Sequence, residues 1–275
     1  MALASQTAAA FDLQGHRGAR GHAPENTLAG FQRALAIGVD TLELDVGVTR
    51  DGVVVIHHDR RLNPDLARGP DGKWVSAPAP TIYSLTYAEL ARYDVGRIRP
   101  GSEYERRFPH QQPIDGSRIP RLSHLWPVAP HVRFNIETKL VPEAPDETLP
   151  PEAFARAVIA EVRNAGVASR STIQSFDFRT LAVVQREAPE IRTAYLTSGQ
   201  RGASVPKTVH ASRGAIWSPN YEDLDAAALG AARALGLTVI PWTVNEPADI
   251  ARVLAMKVDG IISDYPDRVR QALGR

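Results

Sequence analysis

The sequence predicts an α/β fold: a (β/α)8 barrel of the TIM type, with an insertion after a back-folded strand near the second barrel strand. Three observations lead there. Short apolar runs alternate with amphipathic helical stretches, the pattern of a parallel sheet with crossover helices. One pair of runs is joined by too few residues for a parallel crossover. The stretch that follows, about residues 59–131, breaks the alternation and is rich in proline.

The first expected strand is Phe11–His16, followed by a helix over Thr27–Ile37 and a second strand, Thr41–Val46. Asn26 or Thr27 supplies the helix N-cap, and Gly38 a C-terminal stop. The next run is Val53–His57. About six residues separate it from Val46, Asp51-Gly52 among them, whereas a parallel crossover takes a dozen or more. It is therefore expected to fold back antiparallel on the second strand. Residues 59–131 hold ten prolines and one evident helix, Tyr87–Tyr93, and read as a cover over the barrel mouth, not an independent domain. Beyond them come strands Arg133–Thr138, Ser171–Ser175, Thr193–Thr197, Ala215–Ser218, Thr238–Val244 and Gly260–Ser263. Between these lie helices Glu152–Ala165, Phe178–Ala188, Asp225–Leu235 and Ala248–Met256. In the first of them Phe154, Val158, Ile159 and Val162 share one face, and Gly166 and Gly236 follow their helices as stops. An acidic, proline-rich loop spans Pro142–Pro151. Setting aside the back-folded strand leaves eight parallel strands. An open doubly wound sheet is the alternative, weakened because no glycine-rich dinucleotide fingerprint follows the first strand.

Composition removes several function classes. The 275 residues suit one barrel domain over 11–275, and the net charge of +1 gives no electrostatic case for nucleic acid or an anionic membrane. Cysteine is absent, which excludes a disulfide framework, a thiolate nucleophile and a cysteine zinc site. No apolar run approaches the roughly 18 residues of a membrane span. Residues 1–10, MALASQTAAA, read as a disordered tail of a cytoplasmic protein or as the remnant of a cleaved export signal, with a periplasmic or secreted location.

The chemistry starts at Glu43-Leu44-Asp45. Alternate residues of a strand share a face, so Glu43 and Asp45 point together. Two buried carboxylates repel, and a hard divalent cation relieves that repulsion through oxygen ligands; an arginine partner for one of them is the plainer arrangement. Glu137 and Lys139 share a face at the C-terminal end of a later strand, where barrel active sites lie. Glu137 is a candidate third metal carboxylate. Lys139 is a candidate anion contact, with an ion pair to Glu43 or Asp45, or a Schiff base, as its other uses. A hairpin turn centred on Asp51-Gly52 places His58 across from Asp45, and His16 approaches from the first strand. Two histidines beside a metal suit general acid and general base work. Arg17-Gly18 suggests an anion site, a guanidinium beside a close backbone approach. Trp242 lines a pocket or packs in the core. His110, His124, His131 and His210 carry no such context.

Gly15-His16-Arg17-Gly18, Ala23-Pro24-Glu25-Asn26-Thr27, Glu43-Leu44-Asp45-Val46 and Asp51-Gly52…His58-Asp59 resemble the glycerophosphodiester phosphodiesterase family. Asn135-Ile136-Glu137-Thr138-Lys139, Gln174-Ser175-Phe176, Trp242-Thr243-Val244-Asn245 and Gly260-Ile261-Ile262-Ser263-Asp264-Tyr265-Pro266 continue the match in order. The resemblance implies cleavage of glycerophosphodiesters to sn-glycerol 3-phosphate and an alcohol such as choline or ethanolamine. It implies one divalent ion, usually Ca or Mg, on Glu43, Asp45 and Glu137. The acid–base pair matches His16 and His58, and the phosphate contacts match Arg17 and Lys139. His57 lies outside the family's core pattern. Asn26 or Thr27 is expected to act as a cap, and Asp264 either touches the site or belongs to a turn.

Two other functions compete for these residues. A phosphodiesterase for lysophospholipid or phosphoinositol-type diesters requires an apolar mouth. The insertion does hold Trp74, Tyr83, Tyr87, Tyr93, Tyr104 and Phe108, but arginine and proline are abundant among them. A non-catalytic binding protein on the same barrel is expected to lack a metal carboxylate or a histidine, and none is missing. A small-molecule substrate is therefore expected, with no nucleic acid and no stable membrane insertion; the oligomeric state is left open.

Overall fold

A computed structural model describes residues 11–140 and 142–275, so the expected N-terminal tail lies outside the described residues. Strands β1 (Asp12–Gly15), β2 (Thr41–Val48) and β3 (Val54–Ile56) come first. They are followed by β4 (Arg133–Thr138), β5 (Ser171–Ser175), β6 (Arg192–Thr197), β7 (Ile216–Pro219), β8 (Thr238–Val239) and β9 (Gly260–Ser263). Eight run parallel in the order β8-β7-β6-β5-β4-β2-β1-β9, while β3 pairs antiparallel with β2. Single backbone bonds bridge the two ends of this path. Asp259 N–H donates to Val239 O, Ile262 N–H to Pro241 O and Val244 N–H to Ile262 O, each at 3.0 Å. The expected (β/α)8 barrel with its back-folded strand and insertion is the observed fold.

Helix α1 (Leu28–Ile37) starts at Thr27, whose side chain accepts from Gly30 N–H, and stops at Gly38 with φ 89°. The insertion carries α2 (Tyr87–Leu90), shorter than expected, and α3 (Glu103–Arg107), which the sequence reading missed. The outer layer continues with α4 (Pro151–Asn164), α5 (Phe178–Glu187), α6 (Ser204–Ala211), α7 (Ala226–Ala234), α8 (Pro247–Ala255) and α9 (Pro266–Ala272). Two of these were not anticipated. Pro206 interrupts the pattern of α6, but it sits in the first turn, where its missing N–H costs no helical bond. Pro266 reads as a turn residue but opens α9, its fixed φ suiting a first helical position. The expected strand Thr238–Val244 is cut short at Val239, because Pro241 has no N–H to offer a ladder.

Strand alternation divides the core into two layers. Leu42, Leu44, Phe134, Ile136 and Ile173 face outward and pack with Phe31, Phe154, Val158, Leu181 and other helical residues. Inside the barrel, one side is apolar, with Ala194, Ile216, Ile240 and Ile262. The opposite side carries buried amides and carboxylates, among them Gln14, Glu43, Asn135 and Gln174. The segment between β3 and β4 has its own small core of Leu62, Ala67, Ala79, Ile82, Leu90 and Ile119 around Val55 of β3. Glu147 of the acidic loop pairs with Arg60 and Arg61 and ties that loop to the insertion.

Candidate active site

The parallel register assembles the site. It sets Glu43 beside Asn135 and Asp45 beside Glu137 on β2 and β4, and Glu137 beside Gln174 on β5. The inward-facing members converge, so that one oxygen each from Glu43, Asp45 and Glu137 lies within 4.8 Å of the others. All three residues are buried.

Each carboxylate is held by neighbours. Glu43 Oε2 accepts from the Arg17 backbone N–H at 2.9 Å, and its Oε1 from Gln174 Nε2 at 2.8 Å. Asp45 Oδ2 accepts from Asn26 Nδ2 at 2.9 Å and lies 3.3 Å from Arg17 Nε. Glu137 Oε1 accepts from Lys139 Nζ at 2.6 Å. Burial, together with the charges of Asp45 and Glu137, pushes Glu43 well above the usual carboxylate range. Burial also raises Glu137, against the opposing charge of Lys139. Burial would raise Asp45 too, but His58, Arg17 and Lys139 hold it well below that range.

This donor set fits a hard divalent cation. It offers carboxylate oxygens only, which suit Ca or Mg better than a metal seeking thiolate or imidazole. Asp45 Oδ1 is buried without a hydrogen-bond partner among the described residues, a ligand oxygen still available.

The two histidines lie on either side of the carboxylates. His16 follows β1 directly; its Nδ1 is 2.6 Å from Asp264 Oδ1, and its Nε2 is 3.9 Å from Glu43 Oε2. Burial pushes the imidazole down to about 4, although Asp264 opposes that shift. Asp264 is itself gripped by Arg20 Nε at 2.8 Å, Arg20 Nη2 at 3.0 Å and Asn245 Nδ2 at 2.7 Å. His58 Nδ1 is 2.6 Å from Asp59 Oδ1, and Lys139 Nζ donates to His58 Nε2 at 3.0 Å. An ammonium only donates, so Nε2 is the acceptor and the His58 proton sits on Nδ1.

The expected hairpin register is off by one. Val46 pairs with Ile56 and Val48 with Val54, and the His57 N–H donates to Asp45 O at 2.9 Å. The ladder therefore centres on Asp51, and His57, not His58, sits opposite Asp45. His58 still reaches the site because the chain leaves the ladder after Ile56. His57 is buried outside the main cavity, with no partner for its Nε2 among the described residues.

Arg17 lies in the site, its Nη1 2.7 Å from Glu25 Oε1. The close approach at Gly18 has a different cause from the one expected: a Cβ there would lie 2.7 Å from the Gly30 carbonyl carbon, so the glycine makes room for α1. Lys139 pairs with Glu137 and lies 3.6 Å from Asp45 Oδ1, closer to the ion-pair alternative than to a free anion contact. Trp242 donates from Nε1 to Ser218 O at 2.8 Å and stands edge-on to Phe176 at 5.4 Å.

A cavity of about 490 Å³ joins these groups, with charged residues on one side and Phe176, Trp242 and Leu196 on the other. Several of its supports were missed in the sequence. Asn26 bonds Asp45 and leaves the cap to Thr27. Arg20 holds Asp264. Tyr104 of the insertion bonds Glu25 and accepts from Arg20 Nη1 at 3.2 Å. The motif Pro24-Glu25-Asn26 was the signal for the first of these; nothing local marks Arg20 or Tyr104.

Several known proteins are similar to this chain. A glycerophosphodiester phosphodiesterase of Bacillus subtilis (strain 168) is 29% identical over 266 residues, covering 92% of this chain and 83% of that protein. A solved structure from Silicibacter pomeroyi DSS-3, named as a candidate glycerophosphoryl diester phosphodiesterase, shares 36% identity with a TM-score of 0.91, covering 96% of this chain and 93% of that one. An Oleispira antarctica phosphodiesterase, solved with the product sn-glycerol-3-phosphate, has the same fold at 23% identity and a TM-score of 0.76, covering 96% and 97%. The profile of one family matches residues 16–268, nearly the whole described chain, and the chain belongs to that family, the glycerophosphoryl diester phosphodiesterases.

Proposed function

We propose that the protein hydrolyses glycerophosphodiesters such as glycerophosphocholine and glycerophosphoethanolamine to sn-glycerol 3-phosphate and an alcohol, using one Ca or Mg ion and the pair His16 and His58. The observation that carries this reading is the grouping of the buried Glu43, Asp45 and Glu137 at a cavity lined by two of them, Glu43 and Glu137, together with both histidines, Arg17 and Lys139. Residues 11–275 act as one catalytic unit in this reading, with segment 59–131 as the cover of its mouth. The complex of the Oleispira antarctica relative with sn-glycerol-3-phosphate supports the product class.

Glu43, Asp45 and Glu137 would hold the ion, which when bound supplies Lewis-acid stabilisation of charge building on the phosphoryl oxygens. Arg17 and Lys139 donate hydrogen bonds to those oxygens, an electrostatic contribution that grows as the charge develops. Asp264 fixes the His16 proton on Nδ1, which leaves Nε2 free to take the proton of the nucleophile. That nucleophile is the substrate's 2-hydroxyl, giving a cyclic phosphate first, or a water attacking directly. Once Lys139 turns from His58 Nε2 to the phosphate, that nitrogen takes up a proton from solvent, and the imidazolium so formed gives it to the departing alkoxide. Asp59 holds the imidazole in place meanwhile.

The test is sn-glycerol 3-phosphate release from both substrates, with chelator and then with Ca or Mg restored. Release restored by metal, with cyclic phosphate assayed in parallel, establishes the reaction. Absence of release with metal bound overturns the substrate assignment and turns attention to lysophospholipid or phosphoinositol-type diesters.

A further inference from the structure

A chain of side-chain amides runs along the barrel interior beneath the three carboxylates. Gln174 Nε2 donates to Glu43 Oε1 at 2.8 Å, and Asn135 Nδ2 donates to Gln174 Oε1 at 2.9 Å. The same Asn135 Nδ2 donates to Gln14 Oε1 at 2.8 Å, and Gln14 Nε2 donates to Asp12 Oδ2 at 3.0 Å. All three amides are at most 4% exposed.

The direction of these bonds is dictated from the two ends. A carboxylate that ligates a cation is ionised and only accepts, so Glu43 in its cation-binding form draws the NH2 group of Gln174, and Asp12 draws that of Gln14. Both glutamines then present their carbonyl oxygens to Asn135, which must answer both with its own NH2. The remaining acceptor, Asn135 Oδ1, is left without a partner among the described residues. A buried unpaired carbonyl is costly, so the arrangement sacrifices one acceptor to keep two donors pointing along the axis. The barrel register places Asn135 directly beside Glu43 on the neighbouring strand.

We infer that Asn135 and Gln174 are positioning residues for Glu43: the donor chain from Asn135 through Gln174 locks the Glu43 carboxylate in the rotamer that meets Asp45 and Glu137. The Arg17 backbone N–H pins the second oxygen, so the group has no freedom to turn away. Gln14 is a side arm on the same node and carries nothing toward the carboxylates. The inference rests on the reading of Glu43, Asp45 and Glu137 as a cation site.

The experiment is calorimetric titration of the full chain with Mg alone and with Ca alone. Wild type is compared with Gln174→Met, Asn135→Leu, their double variant and Gln14→Met, each first checked for cooperative thermal unfolding. Gln174→Met and Asn135→Leu are each expected to weaken cation affinity by about 10-fold or more, the usual scale for groups that orient metal ligands. Because Asn135 acts through Gln174, the double variant should fall no more than about threefold below Gln174→Met. Gln14→Met should stay within about threefold of wild type. Unchanged affinity in Gln174→Met overturns the inference. So do fully multiplicative losses in the double variant, or an equal loss in Gln14→Met, since either means general disruption of barrel packing. If Asn135→Leu does not fold, Asn135→Ala completes the same cycle. A wild type that binds neither ion removes the cation reading itself, and this inference with it; a wild type that binds, with variants that bind as well, removes the inference alone.

Discussion

His16 Nδ1 lies 2.6 Å from Asp264 Oδ1 across 248 residues of sequence, and Arg20 holds the same carboxylate from the other side. This pairing decides which imidazole nitrogen faces the cavity. In Asp264→Asn the amide can present its NH2 to Nδ1, which moves the ring proton to Nε2 and blocks it as a base. Turnover should fall by roughly 10²–10⁴-fold, while Mg affinity by calorimetry stays unchanged. Wild-type turnover in Asp264→Asn would remove the carboxylate from the mechanism.

His16→Ala and His58→Ala should each lower turnover at least about 100-fold while the protein stays folded. His57→Ala should be mild, because its ring lies outside the cavity. Steady-state kinetics on all three variants make the comparison. A loss in His57→Ala equal to that in His58→Ala would reverse the assignment.

Cation binding should be linked to protons. Burial and the neighbouring carboxylates raise Glu43 well above its usual range, so without a cation it keeps its proton to higher pH than an ordinary carboxylate, and a cation must displace that proton. Binding therefore releases protons, and affinity rises with pH and falls as the solution is acidified. Titrations in two buffers of different ionisation enthalpy count the released protons. Affinity independent of pH, with no proton release, would contradict the ligand role of Glu43. Glu43→Ala should abolish tight binding of either ion.

Tyr104 joins α3 of the insertion to the barrel through Glu25 and Arg20. Tyr104→Phe leaves the mostly buried Glu25 carboxylate, about one-tenth exposed, without one of its donors and should cost about 1–3 kcal/mol. The urea midpoint should fall accordingly, with faster proteolytic cleavage near residues 100–112. Identical midpoints would show that the insertion is held by its apolar core alone.

The sequence made the barrel legible because strand and helix periods alternate cleanly and one connection was too short to cross over. It failed where local pattern is weak: Pro206 hid α6, Pro266 imitated a turn before α9, and Pro241 stopped a strand that its apolar neighbours promised. Among site residues, Glu43, Asp45 and Glu137 could be grouped because strand alternation fixes which side chains share a face. Lys139 was placed on the correct strand end, but its pairing with His58 was not foreseen. His58 lines the cavity despite a register error of one residue, since the strand ends before the slip matters. Arg20 and Tyr104 escaped because their partners are Asp264 and Glu25, contacts made by the closed barrel and its insertion and encoded in no local motif, while Asn26 stood in a visible motif but read as a helix cap.

The bonds that bridge β8 and β9 also bear on heat inactivation. Strand β8 has only two residues, and single bonds complete the ring there. The chain just past this junction carries Asn245, whose Nδ2 holds Asp264 at 2.7 Å and whose Oδ1 accepts from the Asp264 N–H at 2.9 Å. Regions with few ladder bonds open at lower free energy than the rest of a fold. On warming, backbone amides of residues 240–245 should therefore exchange before those of β2 and β4. Each opening slackens the grip on Asp264 and so on the His16 ring, and turnover declines reversibly at temperatures where the far-ultraviolet dichroism of the barrel has not yet changed.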